Sequence, residues 1–178
     1  MAPIELPGTV TADGRDFGVI RALYESSGEG RQPIGYIGTI TTLPGADAMT
    51  HGIDTHFLSS GGRLKWDSQP MYSDVASGQG YGAFTDFSYT PHRGLLHRLS
   101  FDYIDDQLDI SDLGFIRQTD VISGQYGIVR STSQGLDYFR YVRNSVFVTA
   151  QANTRGFLTR AGIFSSSADV PESLADPF

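Results

Sequence analysis

Acids and a single base crowd one short stretch, DLGFIRQTD, in which Arg117 stands between Asp112 and Asp120. Such a trio can form a ligand site in a loop. It can equally fold the loop down, with Asp112 bonding its own backbone, Gly114 taking a positive φ and Phe115 packing inward as an anchor. Five carboxylates lead into the same stretch: Asp102, Asp105, Asp106, Asp109 and Asp112. Carboxylates this dense suit the flexible oxygen cage of Ca²⁺, with Asp105, Asp106 and Asp109 as the ligands. No D-x-D-x-D-G run is present, and a solvated acidic loop is the plainer reading.

Other chemistry is excluded more firmly. The chain has no cysteine, which removes disulfides, thiolate metal sites and thiol nucleophiles together. The histidines fall as His51/His56 and His92/His97, each pair five apart. That spacing puts the members of a pair on opposite faces of a strand and disfavours a shared metal. Neither G-x-S-x-G nor a phosphate-binding GxxxxGK[ST] occurs. No catalytic set emerges, so the expectation is a non-enzyme without a cofactor. Thirteen Lys+Arg against 20 Asp+Glu give a net charge of -7, which argues against a nucleic-acid partner.

The elements that carry these residues are strands. Alternation with period 2 recurs along the chain, and no full window shows helical spacing. In 79–90, Tyr81, Ala83, Thr85, Phe87 and Tyr89 share one face against Gly80, Gly82, Phe84, Asp86 and Ser88. In 95–105, Leu99, Phe101 and Tyr103 oppose Arg98, Ser100 and Asp102. Similar windows lie at 33–42, 51–59, 63–72, 121–130, 136–150 and 156–165, with a weaker one near 17–25. The pattern predicts an all-β antiparallel meander of eight or nine long strands over 1–166, with an irregular tail at 167–178.

Two architectures share that alternation: an outer-membrane-type β-barrel (or a segment of one) and a soluble β-sandwich or barrel. Strand length favours the barrel, since ordinary sheets average 5–6 residues per strand and tilted transmembrane strands ~9–11. Connections that alternate short and long, with 73–79 and 105–120 among the long ones, point the same way. One face is aromatic and aliphatic, with Trp66, Tyr72, Tyr81, Tyr89 and Tyr103 near strand ends; the other is polar. In a barrel the first meets lipid and the second lines a lumen, where Arg98, Arg140, Arg143 and Arg160 face Asp54, Asp67, Asp86 and Asp102 as a charged ladder. In the soluble alternative, Trp66, Tyr72 and Tyr81 bind a carbohydrate, and the protein is periplasmic or extracellular. A hydrolase on a β scaffold is the third and weakest reading. The start MAPIELPGTV shows no basic region followed by an apolar core, so no signal peptide is visible. No run approaches the ~20 apolar residues of a spanning helix.

The stretches GYGAFTDFSY and HRLSFDYIDDQLDISDLGFIRQTD add a resemblance. Gly114, Phe115, Ile116, Arg117 and Asp120 are similar to a turn in the barrel region of a bacterial family of large, uncharacterised envelope proteins. Those proteins carry an N-terminal carbohydrate-binding module of the family-nine type before a long barrel. The resemblance covers roughly residues 15–165. The module is missing, the family barrel has more strands, and the family more often places Arg and Asp with fewer residues between them. It implies a segment or short relative, located in a bacterial outer membrane, with lipid as partner, transport or envelope support as role, and a small solute or carbohydrate as any ligand. It implies no activity.

Overall fold

The computed structural model describes residues 10–12, 15–26, 30–43, 46–111, 116–134 and 138–171. It contains nine long strands and one short one. They are β1 (Val10–Ala12), β2 (Arg15–Ser26), β3 (Gly30–Leu43), β4 (Ala46–Ser59), β5 (Leu64–Val75), β6 (Gly78–His92), β7 (Leu95–Ile104), β8 (Val121–Thr132), β9 (Phe139–Ala152) and β10 (Leu158–Pro171). The long strands run from 10 to 15 residues. They lie in sequence order in one sheet, antiparallel at every pairing. The fold is therefore an all-β meander. Among the described residues there is no helix.

The sheet is open. β1 and β10 are the two ends of the row, and among the described residues nothing joins them into a barrel. Strands contact only their sequence neighbours. A sandwich needs a second sheet packed face to face, and here there is one sheet.

Two boundaries differ from the sequence reading. β10 extends to Pro171, so residues 167–171 belong to the sheet rather than to a tail; residues 172–178 lie outside the described ones. The segment 73–79 is not a long connection. Pairing continues through Asp74↔Gln79 to Val75↔Gly78, leaving a two-residue turn. Gly78 makes this possible by holding φ at 140°, a conformation that L side chains resist. Connections are thus short on both rims, 76–77 and 93–94 included, and one described connection is long: 105–120. The expected alternation of short and long connections does not hold.

The described parts of that connection, 105–111 and 116–120, are folded onto the sheet. Leu108 is buried among Ile104 and Val121, with Met71, Phe84, Ile110 and Ile116 around it. Register explains why it fits. Met71↔Gly82↔Ile104↔Val121 is one row across four strands, and Ser73↔Gly80 is the next row toward the rim. Gly80 leaves the space for Leu108: a Cβ there would stand 2.2 Å from the Leu108 Cα. The Asp109 N–H then donates to the Ser73 hydroxyl at 3.0 Å. Gly80→Ala should lift the loop, seen as faster proteolytic cleavage within 105–120 with strand content kept. Gly124→Ala, where a Cβ meets nothing within 4 Å, should leave cleavage unchanged.

Candidate functional site

The registers separate the side chains into two faces of different chemistry. One face carries Ile53, Phe57, Trp66, Phe87, Leu99, Phe101, Tyr126, Val148 and Ile163, joined row by row across the sheet. Apart from the half-buried Phe57, these side chains are solvent-exposed; Leu99 is 47% and Ile163 74% accessible. Two aromatic rows bound this apolar band. Near one rim Tyr36, His51, Tyr72 and Tyr81 follow one another with ring centroids 6.1, 6.1 and 5.2 Å apart. Near the other, Tyr89, His97 and Tyr126 follow at 6.5 and 6.2 Å. Their polar atoms are engaged: Tyr36 hydrogen-bonds to His51 at 2.7 Å and Tyr126 to His97 at 2.7 Å. Within the band, Trp66 Nε1 donates to the Thr85 hydroxyl at 2.8 Å, which donates to the Asp67 carbonyl at 3.2 Å.

Between the aromatic rows this face holds no Asp, Glu, Lys or Arg among the described residues. Charges appear on it only beyond the rows, as Asp16, Asp47 and Asp74 at one rim and Arg130 and Asp169 at the other. The mid-strand charges all belong to the opposite face: Arg21, Asp54, Lys65, Asp67, Asp86, Arg98, Asp102 and Arg160.

The polar face is the candidate site. His56 lies directly across from Asp67, and Asp67 from Asp86. Two carboxylates opposite each other repel. Here His56 Nδ1 meets Asp67 at 2.8 Å and Lys65 Nζ meets it at 2.5 Å, while His56 Nε2 stands 3.6 Å from Asp54. A cleft of about 360 Å³ opens beside them, lined by Arg21, Asp54, His56, Asp67, Gln69 and Asp86. A neighbouring one of about 340 Å³ is lined by Lys65, Asp86, Arg98, Gln125 and Phe147. A third, of about 430 Å³, runs under the folded loop between Asp102, Arg117, Gln118, Ser123, Gln151 and Arg160. Donors and acceptors of both signs alternate along this surface. It can hold water and polar solutes by hydrogen bonds.

The sequence-derived ladder is corrected in its partners. Arg98, Arg143 and Arg160 lie on the polar face with Asp54, Asp67, Asp86 and Asp102. Arg140 does not belong to the row, because a register shift between Tyr141↔Val170 and Phe139↔Pro171 leaves it unpaired in the ladder. Among the described residues none of these arginines makes an ion pair. The carboxylates are met by His56 and Lys65 instead. The turn over 60–63 held the signal for this. It fixes Leu58↔Lys65 and hence His56↔Asp67.

The DLGFIRQTD residues do not meet in one place. Asp112, Gly114 and Phe115 lie outside the described residues. Arg117 is exposed and lines the third cleft. Asp120 turns away into the β9–β10 connection, where it accepts from the Thr154 N–H at 2.9 Å and from the Thr154 hydroxyl at 2.5 Å. Asp120 holds a φ of 56°, which Asp and Asn tolerate better than most side chains. The calcium expectation meets a different arrangement. Asp105 accepts from the Gln107 N–H at 3.1 Å. Asp109 accepts from the Ser111 N–H at 2.9 Å and from its hydroxyl. Each carboxylate is folded into its own turn, and among the described residues no three such groups converge as metal ligands.

These turn contacts act on ionisation. The Gln107 N–H holds Asp105 below its ordinary range, and the Ser111 hydroxyl and N–H do the same for Asp109. The Thr154 hydroxyl, then its N–H, lower Asp120 from 3.8. A depressed carboxylate stabilises the folded form above its unfolded pKa, and that contribution is lost as pH falls through the lower folded value. Protease cleavage at 153–157 should therefore rise as pH drops below about 3.8. Asp120→Asn keeps the backbone conformation and should remove that pH dependence. Compared with known protein families, curated proteins and solved structures, the chain matches none.

Proposed function

We propose that this chain forms part of the wall of an outer-membrane-type β-barrel, with a non-enzymatic role in solute passage or envelope structure. The observation that carries the reading is the partition of charge: none between the two aromatic rows on the apolar face, and a full set on the other. Transmembrane barrels pair an outward apolar band about 25 Å tall, flanked by aromatic girdles, with a polar interior. Tyr81 and Tyr89 are eight residues apart on β6, about 27 Å along the strand at ~3.4 Å per residue. A tilt of ~40° reduces that to roughly 20 Å of height.

Surface area supports the same reading. The chain exposes 12748 Å², whereas a compact protein of 19.4 kDa exposes roughly 8,500 Å². A single open sheet leaves both faces accessible, and on this reading lipid would cover the apolar one. On this reading the 105–120 loop lies inside and narrows the interior at one rim. The envelope location implied by the resemblance of Gly114–Asp120 belongs to the same proposal, with lipid as the partner of the apolar face and a small polar solute as the interior ligand.

Without detergent the chain should aggregate, and micelles should be needed to refold it. A monomer that stays soluble at high concentration without detergent would remove the membrane reading. Phe101, in the row midway between the girdles, gives the sharper test. Phe101→Arg should cost about 2–4 kcal/mol of stability in lipid. Ser100→Arg, one residue away on the polar face, should cost little. Equal costs at the two positions would argue against lipid on either face.

A further inference from the structure

The cleft under the folded loop differs from the two beside it. Its floor is a single row of the sheet, Phe84↔Asp102↔Ser123↔Gln151↔Arg160, with one residue from each of β6 to β10. The row changes character along its length. Over β6 to β8 the walls are apolar: Phe84, Ile104 and Val121 from the sheet, with Ile110 and Ile116 from the loop. Over β9 and β10 they are polar. Gln151 donates to Gln118 of the loop at 3.4 Å. Arg117 precedes Gln118, and Arg160 pairs opposite Gln151. One guanidinium thus lines the cleft from the loop and the other from the sheet.

The placing of Arg160 depends on an extra residue. The register shifts between Leu158 and Arg160. Carried on from Leu158↔Ala152 without that shift, Arg160 would pair with Ala150, on the apolar face. A bulge of this kind re-aims a side chain, and bulges gather beside active sites. Thr159, the residue left over, donates its hydroxyl to the Gln151 carbonyl at 3.1 Å. The polar face as a whole carries cations and aspartates in balance; this cleft does not. Arg117 and Arg160 make no ion pair among the described residues. The acid that lines the cleft, Asp102, accepts from the Ser123 hydroxyl at 2.9 Å. It stands three strands from Arg160, about 14 Å at ~4.8 Å per strand. Asp120, three residues from Arg117, is engaged by Thr154.

We infer that this cleft binds a small amphipathic anion, a monocarboxylate with a compact apolar body. The body lies over Phe84, Ile104 and Val121 beneath the loop, and the carboxylate meets Arg117 and Arg160. A volume of about 430 Å³ is that of a small-molecule site, where apolar walls carry a few placed polar groups. Guanidinium–carboxylate pairs are among the strong charge-assisted contacts. A cation would meet two guanidiniums, and the hydroxyls of a sugar would face the apolar walls. The inference narrows the interior ligand proposed above from a polar solute to an amphipathic anion. It stands on the loop and the polar face alone, whether lipid or water meets the other face.

Three probes separate charge from apolar contact: 4-phenylbutyrate, its uncharged counterpart 4-phenylbutanol, and butyrate, which lacks the ring. A ligand that bridges loop and sheet favours the docked loop by mass action. 4-Phenylbutyrate should therefore slow proteinase K cleavage within 105–120, and 4-phenylbutanol and butyrate should protect only at much higher concentration. Arg117→Gln and Arg160→Gln should each raise the half-protecting concentration about tenfold, as expected for a lost hydrogen bond to a charged group. Arg143→Gln, on the same face outside the cleft, should not change it. Both cleft arginines are exposed, so their variants should keep the strand content. Absence of protection, equal potency of 4-phenylbutanol or butyrate, or unchanged potency in either cleft variant would each overturn the inference. Every probe is compared in the one medium that keeps the chain folded, micelles or detergent-free buffer. Solubility without detergent would thus remove the membrane reading and leave this site standing.

Discussion

Adjacent strands of this sheet exchange backbone hydrogen bonds along almost their whole length, and that ladder, not a packed interior, holds the chain in place. Among the described residues the buried apolar side chains are few: Ile104, Leu108, Val121 and Val129. So small a core does little to offset the entropy of ordering the strands, which leaves that to the ladder. In a medium without competing water, the ladder becomes obligatory, because each unpaired N–H or C=O is costly there. The long strands, the tight turns and the strict alternation are all consequences of satisfying backbone groups first and sorting side chains by face second.

The polar face shows how charges are tolerated on such a sheet. Asp67 faces Asp86 directly, a repulsive pair in isolation. It is held by a histidine from one neighbouring strand and by the one lysine of the chain from its own. Among the described residues, Arg98, Arg143 and Arg160 on the same face make no ion pair. A surface of this kind has little net preference for one sign of charge and many hydrogen-bonding groups.

Much of this was legible in the residues. Period 2 in 51–59, 63–72, 79–90 and 95–105 assigned the faces of four strands correctly, because a side-chain period of two admits one sorting once a face is apolar. Strand ends were harder. Val75↔Gly78 hid a tight turn inside what read as a loop, since the positive φ of Gly78 is a backbone property that alternation does not reveal. Charge partners were harder still. A ladder of arginines against aspartates follows from face assignment alone, whereas the observed partners, His56 and Lys65, follow only from register. The acidic loop was legible as acidic, but Leu108 was not legible as its anchor. Its seat is made by Gly80 and by rows of residues far away in sequence.

That seat also orders events in time. The surface under Leu108 draws on Met71 from β5, Gly82 from β6, Ile104 from β7 and Val121 from β8. None of these strands offers it alone. Until all four are paired, Leu108 has no complete seat. A docked Leu108 is therefore a record that β5 to β8 have been brought together in register.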